Sequence, residues 1–261
     1  MVLTAVDVAL DGSERLPVVL LRGLSREQAH WGDFMGQLQR ALPNPVLAID
    51  LPGVGQAMHE RSPVSIELMV LQLRQRLRTL QQGPCHLLAM SMGAMVAMAW
   101  ATKFPSDIAS LLLINSSAAG VTPFYQRLKW QSYPVVLQAL CASLLKREQL
   151  ILQLTANNVR LRQQQLANWQ QIASTRPVEK SVVLRQLWAA SRFRLPEKPL
   201  CPVLLLASQA DRLVDWRASQ RIAERWQVPL VLHHHAGHDL ALDAPEWLVQ
   251  QAVGFYRHLK I

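Results

Sequence analysis

The sequence lacks the features of a secreted or membrane-spanning protein. No apolar run reaches the ~18 residues that a membrane helix requires, and Asp7 and Asp11 interrupt the apolar start where a signal peptide needs an unbroken core. The three cysteines, Cys85, Cys141 and Cys201, are an odd number, and each lies in an apolar stretch. We therefore predict reduced core cysteines in a cytoplasmic protein, with no disulfide framework, no metal site and no cofactor.

Internal repeats and low-complexity tracts are also lacking. The chain has 261 residues, half of them hydrophobic, which is enough to bury one large core. The net charge is +9, and segment 121–198 holds twelve Lys or Arg against three acidic residues, so the whole excess lies there. This segment is a candidate module with its own partner preference.

Apolar runs of strand length alternate with amphipathic helices on either side of that segment. Continuous apolar runs are typical of strands buried on both faces, so the pattern predicts an α/β fold with a mostly parallel central sheet covered by helices on both faces. An opening hairpin is expected around Asp11-Gly12. The predicted strands are 17–21, 46–50, 85–90, 110–114, 203–207 and 228–233, and the predicted helices are 27–42, 65–80, 92–104, 216–226 and 245–259.

Between residues 123 and 194 the sequence is helix-like throughout. Long insertions between core elements usually serve as lids or binding modules. We therefore predict a core domain of residues 1–120 and 199–261, interrupted by a helical cap of residues 121–198.

The clearest motif lies where the run 85–90 ends in Ser91. Residues 89–93 read Ala-Met-Ser-Met-Gly, which is G-x-S-x-G with alanine in the first position. In this strand–turn–helix motif the residues two before and two after the serine are small, because the strand and the helix approach closely. A serine hydroxyl is a weak nucleophile until a base takes its proton. The motif therefore predicts an acid and then a histidine later in the chain.

Candidates for both residues follow the last two predicted strands. Asp211 and His238 come at the carboxyl ends of these strands, where open α/β sheets place their sites. Gly237 would free the backbone to turn the imidazole toward the serine. Asp215 is the competing acid, but its place before a helix suits an N-cap. Histidines 233–235 are interpreted as the polar end of a strand rather than a metal site, because adjacent strand residues point to opposite faces.

With these three residues in order, the chain resembles the α/β-hydrolase fold family over about 18–120 and 203–259. Arg22-Gly23 after a strand, the loop 50–55 and the position of the helical insertion add to the resemblance. It implies a Ser91–His238–Asp211 catalytic triad and an oxyanion hole formed by the backbone N–H groups of Met92 and Leu24.

The context of the serine is similar to that of the family's esterases and thioesterases. It implies a serine hydrolase that cleaves a carboxylic ester or thioester of a small to medium apolar acyl group through an acyl-enzyme. Candidate substrate-binding residues are Arg22, Met92, Phe124 and Trp130. Arg22 stands where the family usually has histidine, and an ordinary salt bridge, with Asp50 or Glu27 as partner, is the simpler role for it.

The sequence leaves other functions open. The same triad could serve a C–C bond hydrolase, a lyase or a perhydrolase, and a binding protein without activity could use the basic cap as its interface. An anionic acyl carrier (acyl carrier protein or a CoA ester) or an anionic lipid would complement the cap's charge, although basic helices are often only solvated faces. No nucleic-acid partner is expected, because no known binding module is present.

Overall fold

In the part of the chain that the structure describes, six parallel strands form one sheet in the order β2-β1-β3-β4-β5-β6. The computed structural model describes residues 15–81 and 83–259, so the expected opening hairpin lies outside the described residues. The strands are β1 (Val18–Leu21), β2 (Val46–Ile49), β3 (Cys85–Met90), β4 (Ile108–Ile114), β5 (Val203–Ser208) and β6 (Leu230–His233). The predicted α/β fold with a parallel sheet is thereby confirmed.

Helices cover both faces of the sheet. They are α1 (Asp33–Ala41), α2 (Ile66–Leu80), α3 (Met92–Lys103), α4 (Phe124–Arg127), α5 (Tyr133–Cys141), α6 (Leu144–Thr155), α7 (Val159–Thr175), α8 (Lys180–Arg192), α9 (Trp216–Trp226), α10 (Leu240–Asp243) and α11 (Pro245–His258). Four short 3₁₀ helices within the described ranges occupy Gln28–Trp31, Gly55–Ala57, Pro105–Asp107 and Trp130–Ser132.

Alternate residues of each strand enter two separate cores. Val19 and Leu21 of β1 pack on the side of α2, α3 and α9, whereas Val18 and Leu20 pack on the side of α1 and α11. Because side chains alternate along a strand and both faces are covered, the whole run must be apolar. This explains why the strands read as continuous hydrophobic stretches.

Two local predictions were wrong. The helix expected over 27–42 is broken at Gly32, whose φ of 53° separates the 3₁₀ turn Gln28–Trp31 from α1. Cys85 is buried as predicted, but Cys141, the last residue of α5, is exposed and Cys201 is half-buried. An apolar stretch in a helix that packs on one side leaves some of its members at the surface.

The helices α4–α8 (Phe124–Arg192) lie between β4 and β5, and we call them the inserted helices. Their assignment to a separate cap domain of residues 121–198 stays a prediction. Within the described residues, no helix is both long enough and apolar enough to cross a membrane.

Candidate active site

Ser91 lies in a sharp turn between β3 and α3. Its φ of 57° and ψ of −120° are unusual for a residue with a Cβ atom, and such a conformation costs about 1–3 kcal/mol. Hydrogen bonds hold the strained peptide from both sides, since the Ser91 N–H donates to the Ile114 carbonyl at 2.8 Å and its carbonyl accepts from Ser116 Oγ at 3.0 Å.

Two glycines allow the chain to close around this turn. A Cβ atom on Gly93 would lie 2.5 Å from the Arg22 carbonyl oxygen and 2.6 Å from that of Leu21, so the first turn of α3 packs on bare backbone. A Cβ on Gly23 would lie 3.0 Å from the Cβ of Ser91. The loop after β1 therefore runs directly beside the serine.

The backbone N–H groups of Leu24 and Met92 lie next to these contacts. In the part of the chain that the structure describes, neither N–H donates a hydrogen bond, whereas the next two N–H groups of the loop, those of Ser25 and Arg26, bind Gln186 Oε1 and the Gly23 carbonyl. Leu24 and Met92 also line the cavity that Ser91 faces.

Asp211 and His238 are joined directly. His238 Nδ1 lies 2.7 Å from Asp211 Oδ2, and both side chains are buried. The other carboxylate oxygen of Asp211 accepts from the N–H groups of Leu213 and Val214 at 2.7 and 3.0 Å. With the proton on Nδ1 donated to Asp211, Nε2 keeps a lone pair that can accept a proton.

The competing acid Asp215 has a structural role. It is the N-cap of α9, where its carboxylate accepts from the N–H of Arg217 at 2.9 Å.

Asn115, directly after β4, holds the backbone of His238 in place. Its amide donates to the His238 carbonyl at 2.7 Å and accepts from the Ser208 N–H at 2.8 Å. Sequence reasoning missed Asn115, whose only signal was its place just after a strand.

Arg22 pairs with Asp239, so the partners expected from sequence, Asp50 and Glu27, were wrong. The Nη atoms of Arg22 donate to the two Asp239 oxygens at 3.2 and 2.6 Å, and both side chains are buried. The guanidinium also lies over the ring of Trp31, 4.7 Å from its centroid. Because Asp239 follows His238 directly, this pair anchors the loop of the histidine to the loop after β1.

The turn between α6 and α7 also contacts the loop of His238. The Thr155 carbonyl accepts from the Asp239 N–H at 2.8 Å. A Cβ on Gly237 would lie 2.5 Å from the same carbonyl, so this glycine is needed for space rather than for the backbone freedom expected from sequence. Asn157 Nδ2 donates at 3.0 Å to two carbonyls, those of Ala210 and His235.

A cavity of about 650 Å³ lies between the sheet edge and the inserted helices, and its wall is mostly apolar. Ser91 and His238 both line it, as do the predicted residues Arg22, Leu24, Met92 and Phe124. Trp130 is 66% exposed and is not part of this wall, which disagrees with its predicted place in the site. Residues that sequence reasoning missed include Arg26, Arg147, Trp169, Leu184 and Trp188. Arg26 lies in a loop, and the helical spacing of the other four gave no sign of which face would turn inward.

Histidines 233–235 make ordinary local hydrogen bonds. His233 Nδ1 accepts from the Ala236 N–H at 2.9 Å, and His234 Nδ1 lies 2.7 Å from Gln209 Oε1. Across residues 15–81 and 83–259, no group of three His, Cys, Asp or Glu side chains is arranged to hold a metal ion.

The fold agrees with comparison to known proteins. Residues 18–251 match the model of the alpha/beta hydrolase family. The chain belongs to this family, and it is classed with the hydrolases.

Individual relatives are distant. The chain is 27% identical over 231 residues to a proposed carbamate hydrolase, RutD, of Pseudomonas savastanoi pv. phaseolicola, over 85% of this chain and 86% of that protein. A solved thermophilic esterase from Thermogutta terrifontis superposes with a TM-score of 0.75 at 21% identity, over 94% of this chain and 90% of that one. The enol-lactonase from Burkholderia xenovorans gives a TM-score of 0.76 at 18% identity, over 93% and 91%. At these identities the two solved structures establish the fold alone.

Proposed function

We propose that the protein is a serine hydrolase that cleaves a carboxylic ester or thioester of a small to medium apolar acyl group through a Ser91–His238–Asp211 triad. The observation that carries the proposal is the buried His238–Asp211 pair, 2.7 Å apart, on the cavity that Ser91 also lines. Family membership and the strained serine turn support it.

The mechanism begins with proton transfer. His238 takes the Ser91 hydroxyl proton on Nε2 as Oγ attacks the acyl carbonyl, and Asp211 holds the imidazole tautomer and stabilises the imidazolium. The N–H groups of Met92 and Leu24 donate to the oxyanion, and each such donor is worth ~10²–10³ in rate. His238 then protonates the leaving group, and water hydrolyses the acyl-enzyme with His238 as base.

The cavity wall supports an apolar acyl group. Met92 lies beside the nucleophile, and the aromatic and aliphatic side chains of the inserted helices complete the wall. Its size, about 650 Å³, falls within the range for sites that enclose a small molecule. Phe124 is 75% exposed while it also lines the cavity, so we place it at the mouth.

A fluorophosphonate probe tests the nucleophile directly. Wild type should be labelled and Ser91→Ala should not, while Ser117→Ala, which removes another serine of the same cavity wall, should label as wild type does. Labelling that survives in Ser91→Ala would reject the triad.

A panel of p-nitrophenyl esters, an acyl-CoA, a carbamate and a vinylogous diketone then separates ester and thioester cleavage from C–C hydrolysis.

We also propose that the segment 121–198 is a cap domain whose charge attracts an anionic acyl carrier or lipid. Six of its basic residues are exposed against two acidic ones, Glu179 and Glu197, so a positive surface remains after the inward-facing arginines are discounted. The exposed basic residues are Lys146, Arg160, Lys180, Arg192, Arg194 and Lys198. Equal and flat salt dependence of kcat/KM for an anionic and a neutral substrate would reject this proposal.

We also propose a cytoplasmic location. Recovery of the protein in the membrane or extracellular fraction of cells would reject it.

A further inference from the structure

The cavity wall carries more positive than negative charge. Among the described residues, four arginines line it, Arg22, Arg26, Arg127 and Arg147, against a single carboxylate, Asp239. Arg22 and Asp239 neutralise each other. Arg127 donates to the Ser191 and Ala190 carbonyls at the end of α8. Carbonyl groups do not neutralise a guanidinium, so Arg127 keeps its charge at that end of the wall, and Arg26 and Arg147 form a second positive region.

Arg26 and Arg147 share one buried carboxylate, that of Glu148. Arg26 binds both Glu148 oxygens, at 2.5 and 3.1 Å, while Arg147 Nε stays 3.9 Å away and Nη2 donates to the Val178 carbonyl. In the described ranges of the chain, no other carboxylate lies within 4.0 Å of either guanidinium.

The neighbouring groups do not remove this excess. Burial, followed by the charges of Arg26 and Arg22, lowers the pKa of His30 well below its usual value, so its ring is neutral. Glu27, the nearby carboxylate, is bound by Arg176 at 2.6 Å. Of the charges of Arg26, Arg147 and Glu148, one positive charge is therefore left uncompensated beside the apolar wall, and an unpaired buried charge is costly.

This charge lies at a defined distance from the reacting end of the cavity. Arg147, Ile151, Leu154 and Thr155 of α6 all line the cavity, and their spacing places them along one face of the helix. The Thr155 carbonyl binds the N–H of Asp239, next to His238. Arg147 is eight residues earlier, which is ~12 Å along the helix axis.

We propose that Arg147, together with Arg26, binds the anionic end of the substrate, so that the acyl chain runs along α6 with its ester at Ser91 and a carboxylate at Arg147. This subsite rests on the proposed hydrolase function. The guanidinium fork matches a carboxylate in geometry and charge, and the ring of Trp169, over which Arg26 lies at 5.2 Å, forms the wall beside it. The substrate class is thus a monoester or monothioester of a dicarboxylic acid.

Matched substrates test the subsite. Mono-p-nitrophenyl esters of dicarboxylic acids are compared with p-nitrophenyl esters of fatty acids of the same chain length. Wild type should favour the carboxylate-ended ester, with a preference that peaks at one length and vanishes for chains too short to reach Arg147. In Arg147→Gln the ratio of the two kcat/KM values should fall about tenfold to a hundredfold, mainly through KM of the anionic ester.

Two further variants distinguish direct binding of the substrate carboxylate by Arg147 from a general effect of positive charge on the protein. Arg225→Gln removes an exposed charge from α9, outside segment 121–198, and should leave the ratio unchanged. Arg147→Lys keeps the charge without the fork and should restore part of the preference. A wild-type ratio near one, or an equal fall in Arg225→Gln, would overturn the subsite.

Binding without turnover distinguishes this inference from the proposed function. The Ser91→Ala protein is titrated calorimetrically with a dicarboxylate and with a fatty acid of equal length, with and without Arg147→Gln. Arg147-dependent binding of the dicarboxylate supports the subsite even if no ester is hydrolysed. Ser91-dependent hydrolysis without any preference for the anion, in binding or turnover, would reject the subsite and leave the hydrolase proposal intact. Thermal melting checks that each variant is folded.

Discussion

Breaking the Arg22–Asp239 pair should destabilise the fold strongly. Both side chains are buried and joined by two hydrogen bonds, so Arg22→Met leaves an unpaired carboxylate and Asp239→Asn leaves an unpaired guanidinium. Each single change should cost ~3–5 kcal/mol, because the remaining charge stays buried without its partner. Such a loss is a large fraction of the ~5–15 kcal/mol by which domains are usually stable.

The double variant Arg22→Met/Asp239→Asn should be less destabilised than the sum of the two single variants. It removes both charges, and the amide oxygen of the introduced asparagine would still cap α10, where the Asp239 carboxylate now accepts from the Leu242 N–H. The difference between the sum and the double variant should be ~2–3 kcal/mol, within the range for residues in direct contact.

Urea unfolding measures these differences. The intrinsic fluorescence of the eight tryptophans follows the unfolding transition. With an m-value of ~3 kcal/mol/M for a chain of this size, each single variant should lower the midpoint by ~1–1.7 M. If the single losses simply add in the double variant, or if each is below ~1 kcal/mol, the pair does not hold these loops together.

Three other changes follow from the same structure. Gly93→Ala should cost ~1–3 kcal/mol in thermal melts, since its Cβ would meet carbonyl oxygens at 2.5 and 2.6 Å, while Gly254→Ala, where open space surrounds a helical glycine, should not destabilise. His86→Gln should flatten the stability–pH curve between about pH 4 and 6.5. Burial lowers the pKa of His86 to about 4, so the unfolded chain binds more protons there and wild-type stability rises with pH by ~3 kcal/mol across the window; an unchanged curve would exclude this. Asp211→Asn should lower kcat ~10⁴-fold in a folded protein, whereas Asp215→Ala should cost ~1 kcal/mol of stability and leave kcat unchanged; the reverse result would exchange the roles of the two acids.

The sheet could be predicted closely from sequence because its strands are buried on both faces. The run 17–21 has no polar residue, and the strand that the structure shows there, Val18–Leu21, begins one residue later. Two strands begin two residues away from the predicted start. Strand β4 begins at Ile108 rather than 110, and β6 begins at Leu230 rather than 228.

The candidate site could be located, but its supporting contacts could not. The positions of Ser91, Asp211 and His238 follow from strand ends in the required order, and their roles as a triad stay a prediction. The pairing of Arg22 with Asp239 joins residues 217 positions apart, and no periodicity records such a contact. Carboxylates nearer in the sequence, Asp50 and Glu27, were therefore expected as the partners of Arg22. The pairing of Arg26 with Glu148, 122 positions away, could not be predicted for the same reason.

The contact between the α6–α7 turn and the loop of His238 limits which segments this chain can exchange with its relatives in a chimera. Thr155 and Asn157 belong to the insertion by position along the chain, yet their hydrogen bonds reach Asp239, Ala210 and His235. A chimera that exchanged all residues from 121 to 198 for those of a relative would also exchange the support of the histidine. Residues 155–157 should therefore be kept from this chain in such an exchange, because they support the loop of His238.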